Sequence, residues 1–192
     1  MKWIFDLLFP KKCLGCGAAG EFLCSGCGLV SRVERISWGG ALDELIVCTH
    51  YSGAVRKLIK QLKYKFSQEV VSVLGEVLRA GYDGGVLVAV PLSVKRMKYR
   101  GFNQAELLAL ELGEVFKCLC RVRDTESQAK LSAGGRKVNL KGAFCVTEDV
   151  SGMDLLLVDD VSTTGSTLEE CAGVLKRAGA KRVRGIVVAS GK

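Results

Sequence analysis

The residues LLLVDDVSTTGST at positions 155–167 decide the fold that we predict. An unbroken apolar run is typical of a strand that is buried on both faces. Asp159 and Asp160 follow it, and a loop of hydroxyl residues around Gly165 then leads into a helical pattern that ends at Gly179. Such a loop offers backbone N–H groups and the positive end of a helix dipole to an anion. The stretch therefore predicts a phosphate-binding turn in an α/β fold.

The two acids of this stretch need a ligand group other than a phosphate. Two carboxylates at the carboxyl end of a strand lie where ligands bind in open α/β sheets, but they repel phosphate. Ribose hydroxyls or a hydrated Mg²⁺ between the acids and the phosphate would resolve the conflict. The alternative is an ordinary strand–turn–helix in which a Ser or Thr caps the helix.

The same stretch resembles the phosphoribosyl pyrophosphate (PRPP) signature of type I phosphoribosyltransferases. That signature is an apolar run, two acids and a Thr-Thr-Gly loop. The resemblance implies that Asp159 and Asp160 contact the ribose 2′ and 3′ hydroxyls. In a true phosphoribosyltransferase these two residues would be catalytic, because they would stabilise the positive charge of an oxocarbenium-like sugar. The resemblance also implies that residues 163–167 hold the 5′-phosphate. The residues that it assigns to PRPP are Asp159, Asp160, Val161, Ser162, Thr163, Thr164, Gly165, Ser166 and Thr167.

Composition limits the classes of protein that we consider. A chain of 192 residues has room for one domain and a small appendage, and a hydrophobic content of 48% favours a packed core over disorder. The formal charge of +8 indicates either a polyanionic partner or a solvated basic surface. The N-terminal residues MKWIFDLLFPKK are too short to span a membrane and lack a small-residue cleavage site, so we expect a cytoplasmic protein.

Two Cys-x-x-Cys pairs, Cys13 with Cys16 and Cys24 with Cys27, lie close together near the N-terminus. Each pair can form a tight turn that points both sulfurs at one position, and two such turns complete a tetrahedral Cys₄ site for zinc. Four thiolates leave no open coordination position, so the zinc would be structural. Disulfides are the alternative, although no secretion signal supports them. The remaining cysteines are expected to be small buried hydrophobic residues: Cys48, Cys118, Cys120, Cys145 and Cys171.

Residues 54–66 predict an amphipathic helix with a basic side. Its apolar face would pack on the body of the protein, and the basic residues have no acid among them. They form either a solvated face, which is the usual case, or a contact with an anionic partner such as nucleic acid, which would relieve the repulsion between these unpaired charges. The proposed nucleic-acid residues are Arg56, Lys57, Lys60, Lys63 and Lys65.

The rest of the chain alternates strand-like and helix-like patterns. We predict strands at residues 46–50, 86–90, 118–123, 143–146 and 183–189, the last of which closes the sheet, and a helix at residues 69–80. Residues 29–45 carry no clear motif. A helix opens after RGFNQ at residues 100–104, and the polar residues 124–141 would form a lid. In a phosphoribosyltransferase-like sheet the loop after an early strand holds pyrophosphate. The expected pyrophosphate and lid residues are Pro91, Leu92, Lys95, Arg96, Arg100, Gln104, Gln128, Arg136 and Asn139.

Taken in order, these motifs resemble the ComF family over nearly the whole chain. The resemblance implies an α/β, type I phosphoribosyltransferase-like parallel sheet flanked by helices at residues 46–192. It implies an N-terminal helix and small Cys₄ zinc-finger module at residues 1–45. It further implies binding of PRPP with Mg²⁺, and a part in natural competence that handles incoming single-stranded DNA beside a helicase partner.

One position departs from the salvage enzymes that act on 6-oxopurines. Those enzymes carry an acid just before the threonine-glycine of this loop, whereas Thr163 stands here. The pattern therefore favours PRPP binding over base salvage. Two alternatives to the competence role remain: an active phosphoribosyltransferase of nucleotide metabolism with an unknown acceptor, and a regulator that senses PRPP without turnover.

Overall fold

The computed structural model describes residues 12–27, 31–51, 53–64, 67–123 and 141–191. The strands are β1 (Glu34–Ser37), β2 (Glu44–His50), β3 (Val86–Ala89), β4 (Leu119–Arg121), β5 (Phe144–Val146), β6 (Asp154–Ser162) and β7 (Arg182–Ser190). The helices are α1 (Gly53–Tyr64), α2 (Gln68–Arg79), α3 (Val94–Arg100), α4 (Gln104–Leu110) and α5 (Ser166–Arg177). None of the helices in the described part of the chain combines the length and apolar character that crossing a membrane requires.

The main sheet has the strand order β1-β2-β7-β6-β3 and is parallel except for β1. This confirms the predicted α/β class. The expectation that the last strand closes the sheet is wrong, because β7 lies between β2 and β6. Its residues 183–189 are all buried, and a central position accounts for that burial because both of its faces are covered.

The unbroken apolar run of β6 has a structural cause, because both faces of this strand pack against other parts of the protein. Leu155 and Leu157 pack in the cluster on the α5 side of the sheet, whereas Leu156 and Val158 pack in the cluster on the α1 and α2 side. All four are fully buried, and burying such a side chain contributes roughly 1.5–3 kcal/mol. The predicted double-sided burial of this strand is therefore confirmed.

The two acids are part of β6, near its carboxyl end. Pairing with β7 continues through Asp159 opposite Val187 to Ser162 opposite Ser190. Both acids therefore lie near the carboxyl end of the strand, as expected, and pairing with the long neighbour β7 extends the strand two residues past them.

Strand β1 and helix α3 were not predicted. Strand β1 lies at an exposed edge, paired antiparallel with β2, and helix α3 buries none of its residues. Neither element therefore carries an apolar period. Because β1 joins the main sheet, residues 34–37 pack with the body of the protein. The predicted domain boundary at residue 45 stays a prediction.

Strands β4 and β5 form a separate antiparallel pair, in which Cys120 lies opposite Cys145. These two cysteines form a disulfide, so the expectation of buried thiols is wrong for them. The register that places them face to face, with Cα atoms 5.3 Å apart, is the physical reason. Cys48, Cys118 and Cys171 are fully buried thiols, as predicted.

A buried arginine holds the amino ends of three elements together. Arg184 of β7 is only 3% exposed. Its guanidinium pairs with Asp83 and with Asp154, and it donates to the carbonyl of Gly84 at 2.9 Å. Asp154 opens β6, and Asp83 and Gly84 precede β3. This ion network therefore lies at the end of the sheet opposite the hydroxyl turn.

Candidate functional site

The turn between β6 and α5 encloses a cavity of about 40 Å³. Gly165 precedes α5 with φ +73°, in the left-handed region that glycine tolerates best. Thr164 Oγ1 and Ser166 Oγ lie 2.8 Å apart across the turn. The cavity exceeds the roughly 10–15 Å³ that one water needs. It is lined by Asp159, Val161, Ser162, Thr163, Thr164, Gly165, Ser166, Thr167 and Leu168. The structure thus brings together every residue assigned to PRPP except Asp160.

The two acids have different surroundings. Asp159 lines the cavity, and its Oδ1 accepts a hydrogen bond from the backbone N–H of Asp160 at 2.8 Å. Burial raises the pKa of Asp159 well above its ordinary value, and the neighbouring Asp160 charge adds to this increase. Ionisation of both neighbouring carboxylates is thus electrostatically unfavourable unless cations or hydroxyl groups lie beside them.

Asp160 is buried and forms an ion pair with α1, the helix whose basic side was predicted to contact nucleic acid. Its Oδ2 lies 2.6 Å from Nζ of Lys63, in the last turn of α1. Lys63 is therefore not an unpaired charge, and its assignment to a nucleic-acid contact stays a prediction. Ninety-seven positions separate the partners, so no local pattern could have found this pair.

Arg100 and Gln104 join the same neighbourhood. Nη1 of Arg100 donates to Oε1 of Gln104 at 2.8 Å, and the guanidinium lies 6.0 Å from the ring centroid of Tyr64. Burial lowers the pKa of Arg100, and the negative charge of Asp160 opposes that shift. The end of α1 and the turn between α3 and α4 therefore meet beside the acids.

The four N-terminal cysteines converge on one point. All four sulfurs lie within 4.8 Å of one another, and the Sγ atoms of Cys16 and Cys24 are 3.6 Å apart. A tetrahedral zinc site with Zn–S bonds of about 2.3 Å implies sulfur separations near 3.8 Å. The backbone N–H of Cys24 lowers the pKa of Cys13 to about 6, whereas hydrogen bonds with the neighbouring sulfurs raise the pKa of Cys27 to about 12, so the geometry of the sulfurs is the evidence for a metal site. This cluster could hold a metal ion.

Comparison with known proteins now decides the family. A phosphoribosyl transferase domain model matches residues 97–192. The DNA utilization protein YhgH of Escherichia coli K12 is 37% identical over an aligned length of 184 residues. The match covers 84% of this chain and 81% of that protein. Competence protein F of Haemophilus influenzae is 29% identical and covers 92% of this chain and 82% of its own length. The chain belongs to the ComF family.

The other comparisons are more distant from this ComF-family chain. Competence protein ComFC of Bacillus subtilis is 28% identical over 67% of this chain and 56% of its own length. Among solved structures, a phosphoribosyltransferase from Corynebacterium diphtheriae is 20% identical with a TM-score of 0.40. That match covers 69% of this chain and 74% of the solved chain.

The predicted pyrophosphate residues of this ComF-family chain do not all lie at the turn. Pro91 and Leu92 follow β3 and line a separate cavity of about 280 Å³, between β3 and β4. Lys95 and Arg96 are exposed on α3. Nδ2 of Asn103 donates to the carbonyl of Val90 at 3.1 Å, which holds the loop after β3 in place. The expected lid residues Gln128, Arg136 and Asn139 lie outside the described residues.

The basic residues of α1 in this ComF-family chain do not all point to solvent as free charges. Lys57 donates to the carbonyl of Leu14 at 2.7 Å, which joins α1 to the cysteine cluster. Arg56 and Lys60 are exposed. The predicted nucleic-acid residue Lys65 lies outside the described residues. The exposed charges that can face a polyanion are thus fewer than the helical pattern indicated.

Trp38 is a further residue beside the site that the sequence did not reveal. A Cβ on Gly165 would overlap the Trp38 indole ring, so the ring lies directly against the turn. Glu169 of α5 accepts hydrogen bonds from the backbone N–H groups of Ala41 at 2.7 Å and of Leu42 at 3.2 Å. These contacts hold the β1–β2 connection beside the hydroxyl turn. A Trp followed by two glycines was the only available signal.

Proposed function

We propose that this ComF-family protein binds PRPP with Mg²⁺ at the turn between β6 and α5. The observation that carries the proposal is the cavity that the hydroxyl turn and Asp159 line together. The capping position of α5 is a glycine, which offers no side-chain acceptor to the N–H groups of the first helical turn. Those groups and the helix dipole favour a 5′-phosphate at this point.

The acids complete the proposed sugar site. Asp159 and Asp160 would accept hydrogen bonds from the ribose 2′ and 3′ hydroxyls, which relieves their mutual repulsion. Arg100 lies beside them and would attract the pyrophosphate. Bound Mg²⁺ would neutralise negative charge on the pyrophosphate, and the carboxylates of Asp159 and Asp160 are oxygen donors of the kind that it prefers. If transfer chemistry occurs, the same two acids would stabilise positive charge that develops on the sugar.

In the cell, we propose a role in natural competence, where the protein would handle incoming single-stranded DNA with a helicase partner. The support is the family membership, since its relatives include competence proteins and DNA utilization proteins. Arg56 and Lys60 on α1 would contact phosphates, and that contact would weaken as salt increases. The cysteine cluster would hold a structural zinc through Cys13, Cys16, Cys24 and Cys27.

Titration calorimetry with PRPP and Mg²⁺ tests the ligand proposal. The wild type should bind, and the double variant Asp159→Asn/Asp160→Asn should lose at least tenfold in affinity because both ligand acceptors lose their charge. Glu76→Gln is the matched control, since it removes one exposed charge from α2. Thermal unfolding of each variant separates lost binding from lost folding. If wild type shows no heat with PRPP and Mg²⁺ at millimolar concentration, the proposal is wrong. Pyrophosphate release separately tests turnover.

A further inference from the structure

The ion pair between Lys63 and Asp160 connects two parts of the molecule that the proposed function treats separately. Lys63 belongs to the basic helix α1, and Asp160 belongs to the acid pair of the sugar-phosphate site. The side chain of Asp160 is 5% exposed and that of Lys63 is 24% exposed. The carboxylate is therefore enclosed, whereas the lysine retains a route to solvent.

We propose that Lys63 is a counter-ion that the ligand displaces, so that filling the sugar-phosphate site releases a positive charge to the exposed basic face of α1. The inference rests on the proposed PRPP site and adds its regulation. It makes α1 a sensor of ligand occupancy.

Competition for one oxygen atom is the first step of the argument. Nζ of Lys63 lies 2.6 Å from Oδ2 of Asp160, which is ion-pair contact, although the two groups are not oriented as a hydrogen bond. A ligand hydroxyl or a hydrated cation that reaches this enclosed oxygen must take the place of the ammonium. Both cannot occupy the same side of a carboxylate that is nearly closed to solvent.

Charge balance is the second step. A buried carboxylate without a partner is strongly unfavourable, and Asp159 beside it raises that cost. Lys63 supplies the compensating charge while the site is empty. A ligand that arrives with Mg²⁺ brings its own positive charge, so it can replace the ammonium without leaving Asp160 uncompensated.

The geometry of α1 allows the exchange without a movement of the helix. Leu58, Ile59 and Leu62 are fully buried and anchor α1 against the sheet. Only the flexible side chain of Lys63 has to turn. Lys60 is exposed one helical turn earlier, and residues three apart on a helix are neighbours. The released ammonium would therefore join Lys60 on the outer face.

A ligand that releases a cation to this face should strengthen binding of a polyanion there. Reciprocity of coupled binding requires that the polyanion also strengthen binding of the ligand. Single-stranded DNA is the polyanion whose binding the proposed function assigns to α1, so the coupling would make DNA contact depend on the sugar-phosphate ligand.

Amine labelling of individual lysines, read by peptide mass spectrometry, tests the displacement. In the free protein Lys63 should react at least several-fold more slowly than Lys60, because Asp160 holds it. Saturation with PRPP and Mg²⁺ should raise the Lys63 rate several-fold and leave Lys60 unchanged. In Asp160→Asn, Lys63 should react quickly from the start. A Lys63 rate that stays constant or falls, in protein that calorimetry shows to be saturated, overturns the inference and leaves the PRPP proposal intact.

Two lysine variants provide the second measurement. Lys63→Met should bind PRPP with Mg²⁺ about three- to tenfold more tightly, because no ammonium competes for Asp160. Lys60→Met is the control and should leave PRPP affinity unchanged. Fluorescence anisotropy with a labelled single-stranded oligonucleotide then measures the coupling. PRPP should tighten DNA binding several-fold in wild type and have no effect in Lys63→Met. Weaker PRPP binding by Lys63→Met would instead make Lys63 a direct ligand contact and overturn displacement, whereas absence of PRPP binding in wild type would overturn the proposed function itself.

Discussion

The indole ring of Trp38 packs directly against the backbone of Gly165, at the point where the hydroxyl turn enters α5. Gly165 also has φ +73°. Two separate constraints therefore exclude a side chain at this position: the left-handed backbone and the aromatic ring. Variants that impose one constraint without the other can therefore show how much each contributes to the stability of the turn.

We predict that Gly165→Ala destabilises the protein by roughly 3 kcal/mol, because backbone strain of about 1–2 kcal/mol adds to the overlap with Trp38. Gly152→Ala is a matched control, since Gly152 has φ +74° and open space around it. It should lose only the strain contribution. Urea unfolding measures both, and equal losses for the two variants would contradict a role for Trp38. Combining Gly165→Ala with Trp38→Ala should recover part of the difference.

Removal of the Asp159 charge should stabilise the ligand-free protein. Burial and the neighbouring Asp160 raise the pKa of Asp159 well above 3.8, so the folded state becomes less stable as pH rises and this group is forced to ionise. Asp159→Asn keeps the oxygen that accepts from Asp160 N–H and removes that cost. We expect a gain on the order of 1 kcal/mol at pH 8, or a few degrees in Tm, that vanishes near pH 4.

An acid with the opposite shift provides the control for that measurement. Hydrogen bonds from Ser151 lower the pKa of Asp149, which therefore stabilises the fold at neutral pH and loses that contribution as pH falls below the ordinary value. Asp149→Asn should accordingly lower Tm slightly at pH 8. A lower Tm for Asp159→Asn at pH 8 would show that its charge is better compensated in the free protein than its surroundings indicate.

The sequence predicted the parts of this fold that have a local pattern. Short patterns of about fifteen residues or fewer were enough to predict the apolar run of β6, the hydroxyl turn and the cluster of four cysteines. Strand β1 and helix α3 were missed because they bury too little surface to impose a period. The central place of β7 depends on which strands pair, and the apolar run alone does not specify its neighbours.

The sequence likewise predicted only those parts of the candidate site that lie in one continuous motif. The cavity-lining residues 161–167 are contiguous, so their grouping followed from the motif. Lys63 and Trp38 reach the site from other elements, and only the packing of α1 and of the β1–β2 connection on the sheet brings them there. Residues that act through such distant contacts leave no spacing to detect in one sequence.

The buried arginine at the opposite end of the sheet should matter for stability alone. Arg184→Met leaves the carbonyl of Gly84 without its donor and removes one partner of Asp83 and Asp154, whose side chains are 41% and 42% exposed, so we expect a loss of about 1–3 kcal/mol. Arg182→Met is the control, because its side chain is 48% exposed and its ion pairs should contribute less than about 1 kcal/mol. Urea unfolding measures both losses. PRPP affinity should be unchanged in each variant that remains folded, and a similar loss in both would contradict the buried network.

The same network predicts a response to acid. Burial alone would raise the pKa of Asp83, but the hydrogen bond from Arg184 and its charge outweigh burial and lower it. The stabilisation is therefore present above the ordinary pKa of 3.8 and is lost as pH falls through the lowered value. Wild type should lose stability as pH falls below the ordinary pKa of 3.8, and Arg184→Met should show a shallower loss over the same acid range.

Metal removal should unfold the cysteine cluster and leave the sheet folded. Residues 12–27 form little regular structure beyond a short turn and one isolated bridge, so four sulfurs on one ion would be their main stabilisation. We expect about one zinc per chain by elemental analysis, lost in Cys16→Ser and retained in Cys118→Ala. Treatment with a strong chelator should expose the amide groups of residues 12–27 to hydrogen exchange while those of β6 and β7 stay protected. A metal-free protein with unchanged protection in both regions would show that the cluster holds no structural ion.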